Sequence, residues 1–179
     1  MTLVLASRSP QRRAILEQLG VDFIVAPSDV DERSEGDPVE VALENARLKV
    51  SSCAVPGDLV LGVDTLVTLD GRIYGKPSDA VDAADKLRAL SGRVHTVVSG
   101  LAFADGRSAC VQTSVTFRAL SDSWIDWYVA TGEWEGRAGG YAIQGRGAAL
   151  VLGIDGDYSN VVGLPVAALL DLAPELLGL

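Results

Sequence analysis

Asp64 stands inside Leu59-Val60-Leu61-Gly62-Val63-Asp64-Thr65-Leu66-Val67, an apolar run rich in β-branched residues. A carboxylate in such a strand is costly unless it is paired or holds a metal. Service as a general base or metal ligand would account for it; a strand-end Asp capping a neighbouring turn is the structural alternative. Arg12 and Arg13 form a second anomaly, in the opening turn of a predicted helix, where the macrodipole favours anions. At about 100° per residue, Arg12 shares the direction of Ile15, Leu16 and Leu19, whereas Arg13 points away. A cation heading an apolar face beside free helix N–H groups suits a phosphate. Ser7 and Ser9 would add hydroxyl donors. An arginine snorkelling at a domain edge is the competing account.

Two lysines could join these groups. Asp70-Gly71 is a strong hairpin signal. With a two-residue turn, Thr65 falls opposite Lys76 and Asp64 opposite Pro77, which brings Lys76 near Asp64. Alternation puts the two on opposite faces, and a bulge at Gly75 would re-aim Lys76. Lys49 shares a helical stripe with Ala42, Asn45 and Ala46. That stripe suits close approach to a ligand or a plain solvated lysine. Asp29-Val30-Asp31-Glu32 could give oxygens to a hard cation, or be a solvated charge run. In Gly139-Gly140-Tyr141-Ala142-Ile143-Gln144-Gly145-Arg146-Gly147 the glycines permit close approach to a planar ligand, and Gln144 offers a donor and an acceptor to a base edge. A flexible surface loop would read the same way. The stretch has neither a Walker A loop nor a dinucleotide fingerprint.

The elements that must position these groups follow from periodicity and caps. Leu3–Ala6 reads as a buried strand and Pro10–Leu19 as a helix with Ser9 as N-cap and Gly20 as stop. Phe23-Ile24-Val25 is a strand, 29–36 an acidic loop, and Asp37 opens a helix running to about Cys53. Leu59–Leu69 pairs with Arg72-Ile73-Tyr74, and a helix spans Ser78–Leu90. A second hairpin joins Val94–Ala104 to Arg107–Ala119. Then come a helix over Ser121–Ala130, a glycine-rich loop over 133–147, a strand over Ala148–Ile154 and a helix over Pro165–Leu177. Interleaved strands and helices with hairpins predict an α/β fold with a mixed sheet.

Composition narrows the function. With 179 residues and 48% hydrophobic side chains, the chain has enough apolar material for one packed domain or two small lobes sharing a core. A net charge of −9 argues against a nucleic-acid or acidic-membrane surface. Cys53 and Cys110 form no CxxC pair and read as reduced thiols. The N-terminus lacks the charged region of a signal peptide, and no apolar run is long enough to span a membrane. The sole histidine, His95, lies in an alternating strand with no Gly-x-Ser-x-Gly elbow elsewhere, which reads as a structural or surface histidine.

Taken in order, Leu5-Ala6-Ser7-Arg8-Ser9-Pro10-Gln11-Arg12, Asp31-Glu32, Ala46-Arg47-Leu48-Lys49, Gly62-Val63-Asp64-Thr65 and Gly75-Lys76-Pro77 resemble the Maf family of nucleoside triphosphate pyrophosphatases. Leu90-Ser91-Gly92-Arg93-Val94-His95, Gly140-Tyr141-Ala142-Ile143-Gln144-Gly145 and Val162-Gly163-Leu164-Pro165 continue the match over essentially the whole chain. The resemblance implies one domain over residues 1–179, a mixed α/β fold in two lobes with a central cleft, often as a homodimer. It implies a cytoplasmic hydrolase of nucleotide metabolism, with Mg²⁺ or Mn²⁺, cleaving a nucleoside triphosphate to monophosphate and pyrophosphate. Asp64 matches the family's proton acceptor, Ser7, Arg12, Lys49 and Lys76 its phosphate-binding positions, and Glu32 its acidic position near metal and phosphates. Base-selectivity positions fall on Gln11, Thr65 and Gln144. Thr65 and Gln144 look like the branch acting on dTTP and UTP; the 7-methyl-GTP branch would carry Gln and Glu there. Gln11 departs from the Arg usual in the dTTP/UTP branch, and Asn45 from the commoner Leu. With Asp64 and Glu32 holding the metal, Asp64 would generate the nucleophile while Arg12, Lys49 and Lys76 neutralise the leaving pyrophosphate. An ITP/XTP pyrophosphatase and a nucleotide-sensing module without turnover are the rival expectations.

Overall fold

The computed structural model describes residues 2–53 and 59–179. Seven strands form one mixed sheet: β1 (Leu3–Leu5), β2 (Phe23–Val25), β3 (Leu59–Leu69), β4 (Arg72–Tyr74), β5 (Val94–Phe103), β6 (Ser108–Phe117) and β7 (Val151–Asp155). Their order is β2-β1-β3-β5-β6-β7, with β4 also paired to β3. β1 runs parallel to β2 and β3; the other pairs are antiparallel. The helices are α1 (Pro10–Gln18), α2 (Pro38–Cys53), α3 (Ala80–Leu90), α4 (Asp122–Val129), α5 (Tyr158–Val162) and α6 (Val166–Leu172). The expected mixed α/β class is therefore the observed one.

β3 positions the site by forking. Along one edge Leu59–Leu61 pair with β1, and Val67–Leu69 pair with β4. Between Leu61 and Val67 that edge has no strand neighbour among the described residues, while the other edge stays paired to β5 from Leu61 to Thr68. Asp64 and Thr65 lie in this gap. The predicted hairpin register is observed, with Leu69 opposite Arg72 and Val67 opposite Tyr74. Asp70 (φ 51) and Gly71 (φ 77) supply the two left-handed residues that a type I′ turn needs. Pairing ends at Tyr74, so Lys76 lies beyond the strand and no bulge is required to aim it.

The core lies on both faces of the sheet. Leu3, Leu5, Leu61, Val63 and Leu101 pack with Ile15 and Leu16 of α1 and Leu169 of α6. On the opposite face Val4, Val60 and Ala102 meet Ala46 and Val50 of α2, and Leu66 and Val98 meet Val41 and Ala42. α2 lies directly on the strands because Gly62 and Gly100 have no Cβ. A Cβ at Gly62 would overlap the Ala46 carbonyl, and one at Gly100 the Ala42 carbonyl. Gly100→Ala is thus expected to lift α2 and cost at least ~3 kcal/mol, the upper range for overpacking. The melting temperature should fall by about 6–12 °C, read by thermal unfolding.

Local differences from expectation have local causes. The helix expected over Pro165–Leu177 is α6 followed by a 3-10 turn over Pro174–Leu177, because Pro174 cannot continue the α-helical ladder. The strand expected over Ala148–Ile154 begins only at Val151, since Arg146–Leu150 is a 3-10 turn. α5, not anticipated, is capped by Asp157, whose carboxylate accepts from the Ser159 N–H.

Candidate active site

Local sequence places Arg12. Ser9 caps α1, its hydroxyl oxygen accepting from the Arg12 N–H, and Pro10 fills the first helical position. The Arg12 side chain is buried. Nε donates to the Gly163 carbonyl at 2.8 Å, Nη1 to Ser7 Oγ at 2.9 Å and Nη2 to Thr65 Oγ1 at 3.1 Å. Burial lowers its pKa, and the charges of Asp64 and Glu32 oppose that shift. Arg12 is therefore no surface arginine: it ties α1, β3 and the turn after α5 together. Each Nη keeps one further N–H for a ligand. Ser7 Oγ accepts from both Arg12 and the Ser9 N–H, which leaves its own proton free to donate elsewhere. Arg13 points outward and pairs with Glu17.

The stripe on α2 builds the acidic half of the site. Lys49 Nζ donates to Asp64 Oδ1 at 2.6 Å and to the Val63 carbonyl at 3.2 Å, and lies 2.8 Å from Glu32 Oε1. Two of the ammonium protons are thus donated to oxygens, and the Glu32 carboxylate is held beside them by charge. Val63 belongs to the part of β3 that, among the described residues, lacks a strand neighbour on one edge. Asn45, one turn before Lys49, sends Nδ2 to Asp64 Oδ2 and to the Arg33 carbonyl, each at 2.9 Å, while its Oδ1 accepts from the Arg33 N–H at 2.8 Å. Both oxygens of Asp64 are therefore fixed from one helix face, and the same face docks the loop that carries Glu32. Asp64 and Lys49 are buried, 3% and 6% exposed. This clasp satisfies a carboxylate that alone would be prohibitively costly in a strand.

A divalent cation would find two carboxylates here, Asp64 and Glu32. Among the described residues no group of three or more His, Cys, Asp or Glu is placed to hold a metal. Two hard carboxylates with phosphate oxygens and water completing the shell is the usual Mg²⁺ arrangement, so the donor set fits a cation that arrives with a polyphosphate.

The opposite face carries Thr65. Its hydroxyl lies 2.9 Å from Ser99 Oγ and 3.4 Å from the Gly163 carbonyl. All nine residues singled out from the sequence (Ser7, Gln11, Arg12, Glu32, Lys49, Asp64, Thr65, Lys76 and Gln144) line one cleft of about 980 Å³, the upper part of the range for small-molecule sites. Gln11 Oε1 accepts from Ser9 Oγ. Lys76 and Gln144 are exposed within the cleft. Asp31, the other half of the acidic pair, does not line it. His95 is buried and bonds Tyr141 Oη at 2.9 Å, and burial lowers its pKa to about 4, so it is a neutral packing residue.

Sequence reasoning missed several groups. Arg8 and Arg137 line the cleft as further cations. Asn45 was placed on the α2 stripe with no role. Its signal was a polar side chain at a position that the helical period turns inward.

The family model described as Maf-like protein matches residues 2–176. A dTTP/UTP pyrophosphatase of Pyrococcus furiosus is 47% identical over 177 residues, covering 95% of this chain and 93% of that protein. One of Anaeromyxobacter dehalogenans is 49% identical, covering 92% and 89% respectively. One of Symbiobacterium thermophilum is 46% identical, covering 92% and 88%.

Proposed function

The chain belongs to the Maf-like protein family, and from that premise we propose that it hydrolyses dTTP and UTP to the monophosphate and pyrophosphate. The dTTP/UTP pyrophosphatase activity of its relatives at 46–49% identity supports this substrate class. The observation that carries the chemistry is the clasp in which Lys49 bridges Asp64 and Glu32, inside a cleft that also holds Arg12 and Lys76.

In the mechanism we infer, water attacks the α-phosphorus, the bond to the bridging oxygen breaks, and pyrophosphate leaves. Asp64 takes the proton from the attacking water. Asp64 and Glu32 would hold a divalent cation, which when bound screens phosphate charge and acidifies water. Arg12, with one N–H left on each Nη, Lys76 and the free Ser7 hydroxyl proton meet the phosphates. Lys49 holds the two carboxylates in register and lends positive charge beside them. Gln144 and Thr65, with Gln11 at the head of α1, face the base.

Purified protein with Mg²⁺ is expected to release pyrophosphate from dTTP and UTP faster than from 7-methyl-GTP or ITP, and to lose that activity on chelation with EDTA. CTP and pseudo-UTP complete the panel. Preference for 7-methyl-GTP or ITP would move the protein to another substrate class. No pyrophosphate from any nucleotide would instead make it a binding module.

A further inference from the structure

Gln144 is exposed, on a stretch with no strand or α-helix of its own, yet the main chain on either side of it is held. Two residues before it, the Ala142 N–H donates to Tyr128 Oη at 2.9 Å. Two residues after it, the Arg146 N–H donates to Glu133 Oε2 at 2.7 Å. Tyr128 belongs to α4 and is fully buried. Glu133 lies just beyond α4, where its own N–H donates to Thr131 Oγ1 at 3.1 Å. Gly145 admits the Glu133 carboxylate against the main chain, where any Cβ would collide with it. The base of the loop has a third hold in the Tyr141–His95 bond. α4 and the residues after it thus grip this loop from behind.

That grip has a consequence for a group that reads a base. Thymine and hypoxanthine present the same pairing of a carbonyl and a ring N–H. In hypoxanthine this edge lies one fused ring further from the sugar. A carboxamide on a held main chain meets one of the two distances; on a loose loop it shifts to meet either. We propose that Tyr128 and Glu133 are positioning residues that set the reach of Gln144 and thereby favour pyrimidine over purine triphosphates. This rests on the base-reading role given to Gln144 above.

The test compares kcat/KM for dTTP and dITP in the full-length protein. Tyr128→Phe and Glu133→Ala are each expected to lower the dTTP/dITP ratio about tenfold, the equivalent of one lost main-chain hydrogen bond. The loss should appear in KM for dTTP, with kcat changed by less than about threefold. Glu133→Gln keeps a carbonyl acceptor for the Arg146 N–H and should hold the ratio within about threefold of wild type. In a Gln144→Ala background, Tyr128→Phe should change the ratio by less than about twofold, because coupled residues are non-additive. Thermal unfolding confirms that each variant is folded. A ratio lowered by Gln144→Ala but untouched by Tyr128→Phe and Glu133→Ala overturns the positioning role and leaves Gln144 as base reader. Full additivity with Gln144→Ala overturns it too. An unchanged ratio in Gln144→Ala removes the base-reading role itself, and the proposal with it.

Discussion

Asp64→Asn is expected to bind dTTP with Mg²⁺ nearly as well as the wild type and to release pyrophosphate at least ~1,000-fold more slowly, within the usual range for a lost general base. The substitution preserves shape and removes the charge and the basic oxygen. Lys49 and Asn45 each donate to one oxygen of Asp64, so the Asn amide must turn its NH₂ toward one of these donors. Asn45 cannot turn over to accommodate it, because its Oδ1 serves the Arg33 N–H and its Nδ2 the Arg33 carbonyl. A stability cost of about 3–5 kcal/mol should accompany the loss of turnover, because the buried Lys49 ammonium loses its main counter-charge. Pyrophosphate release and calorimetric titration of the variant with dTTP separate the two effects. Turnover within tenfold of wild type would exclude Asp64 as the proton acceptor.

Replacing Lys49 by Met should have the second largest effect. Lys49 is the common partner of Asp64 and Glu32, and its own side chain is only 8% exposed. Removing one partner of a buried pair typically costs about 3–5 kcal/mol, because the remaining charge is left uncompensated. The Glu32 contact adds little to this, since that carboxylate is 38% exposed and screened by solvent. The melting temperature should therefore fall by roughly 6–20 °C and turnover by at least ~100-fold. Added Mg²⁺ should raise the melting temperature of Lys49→Met more than that of wild type, since the two carboxylates then lack their resident cation. Differential scanning with and without MgCl₂ reads this directly, without reference to activity. A melting temperature within about 2 °C of wild type would mean that the clasp is not what stabilises Asp64 in the strand.

The site's chemistry and its assembly were legible to different degrees. Asp64 was visible because it breaks an apolar run, and Arg12 because a cation heads the core face of α1. The Asp70-Gly71 turn fixed the β3–β4 register, because a two-residue turn leaves one pairing. Asn45 could be placed on the stripe but given no role, because a polar residue on a helix face has no partner until the facing strand is known. By residue type alone Asp31 and Glu32 are indistinguishable as neighbours in an acidic loop, and only the family resemblance singled out Glu32. Only the docking of Arg33 on Asn45 decides that Glu32 meets Lys49.

From the sequence alone, the net charge of −9 argued against a broad nucleic-acid face, and the anomalous residues Asp64 and Arg12 marked two of the groups that line the cleft. Helical period, strand alternation and turn type are local properties, and they placed Arg12, Lys49 and Asp64 on their elements but not Lys76, which lies beyond the end of β4. The tertiary structure decided which faces meet. Arg12 reaches Gly163, 151 positions along the chain, and Lys49 reaches Asp64 only because Gly62 and Gly100 let α2 lie on the strands. The site opens where β1 ends and β4 has not begun, so that among the described residues one edge of β3 lacks a strand neighbour. Strand order creates that gap, and strand order depends on contacts between distant segments that no local pattern encodes.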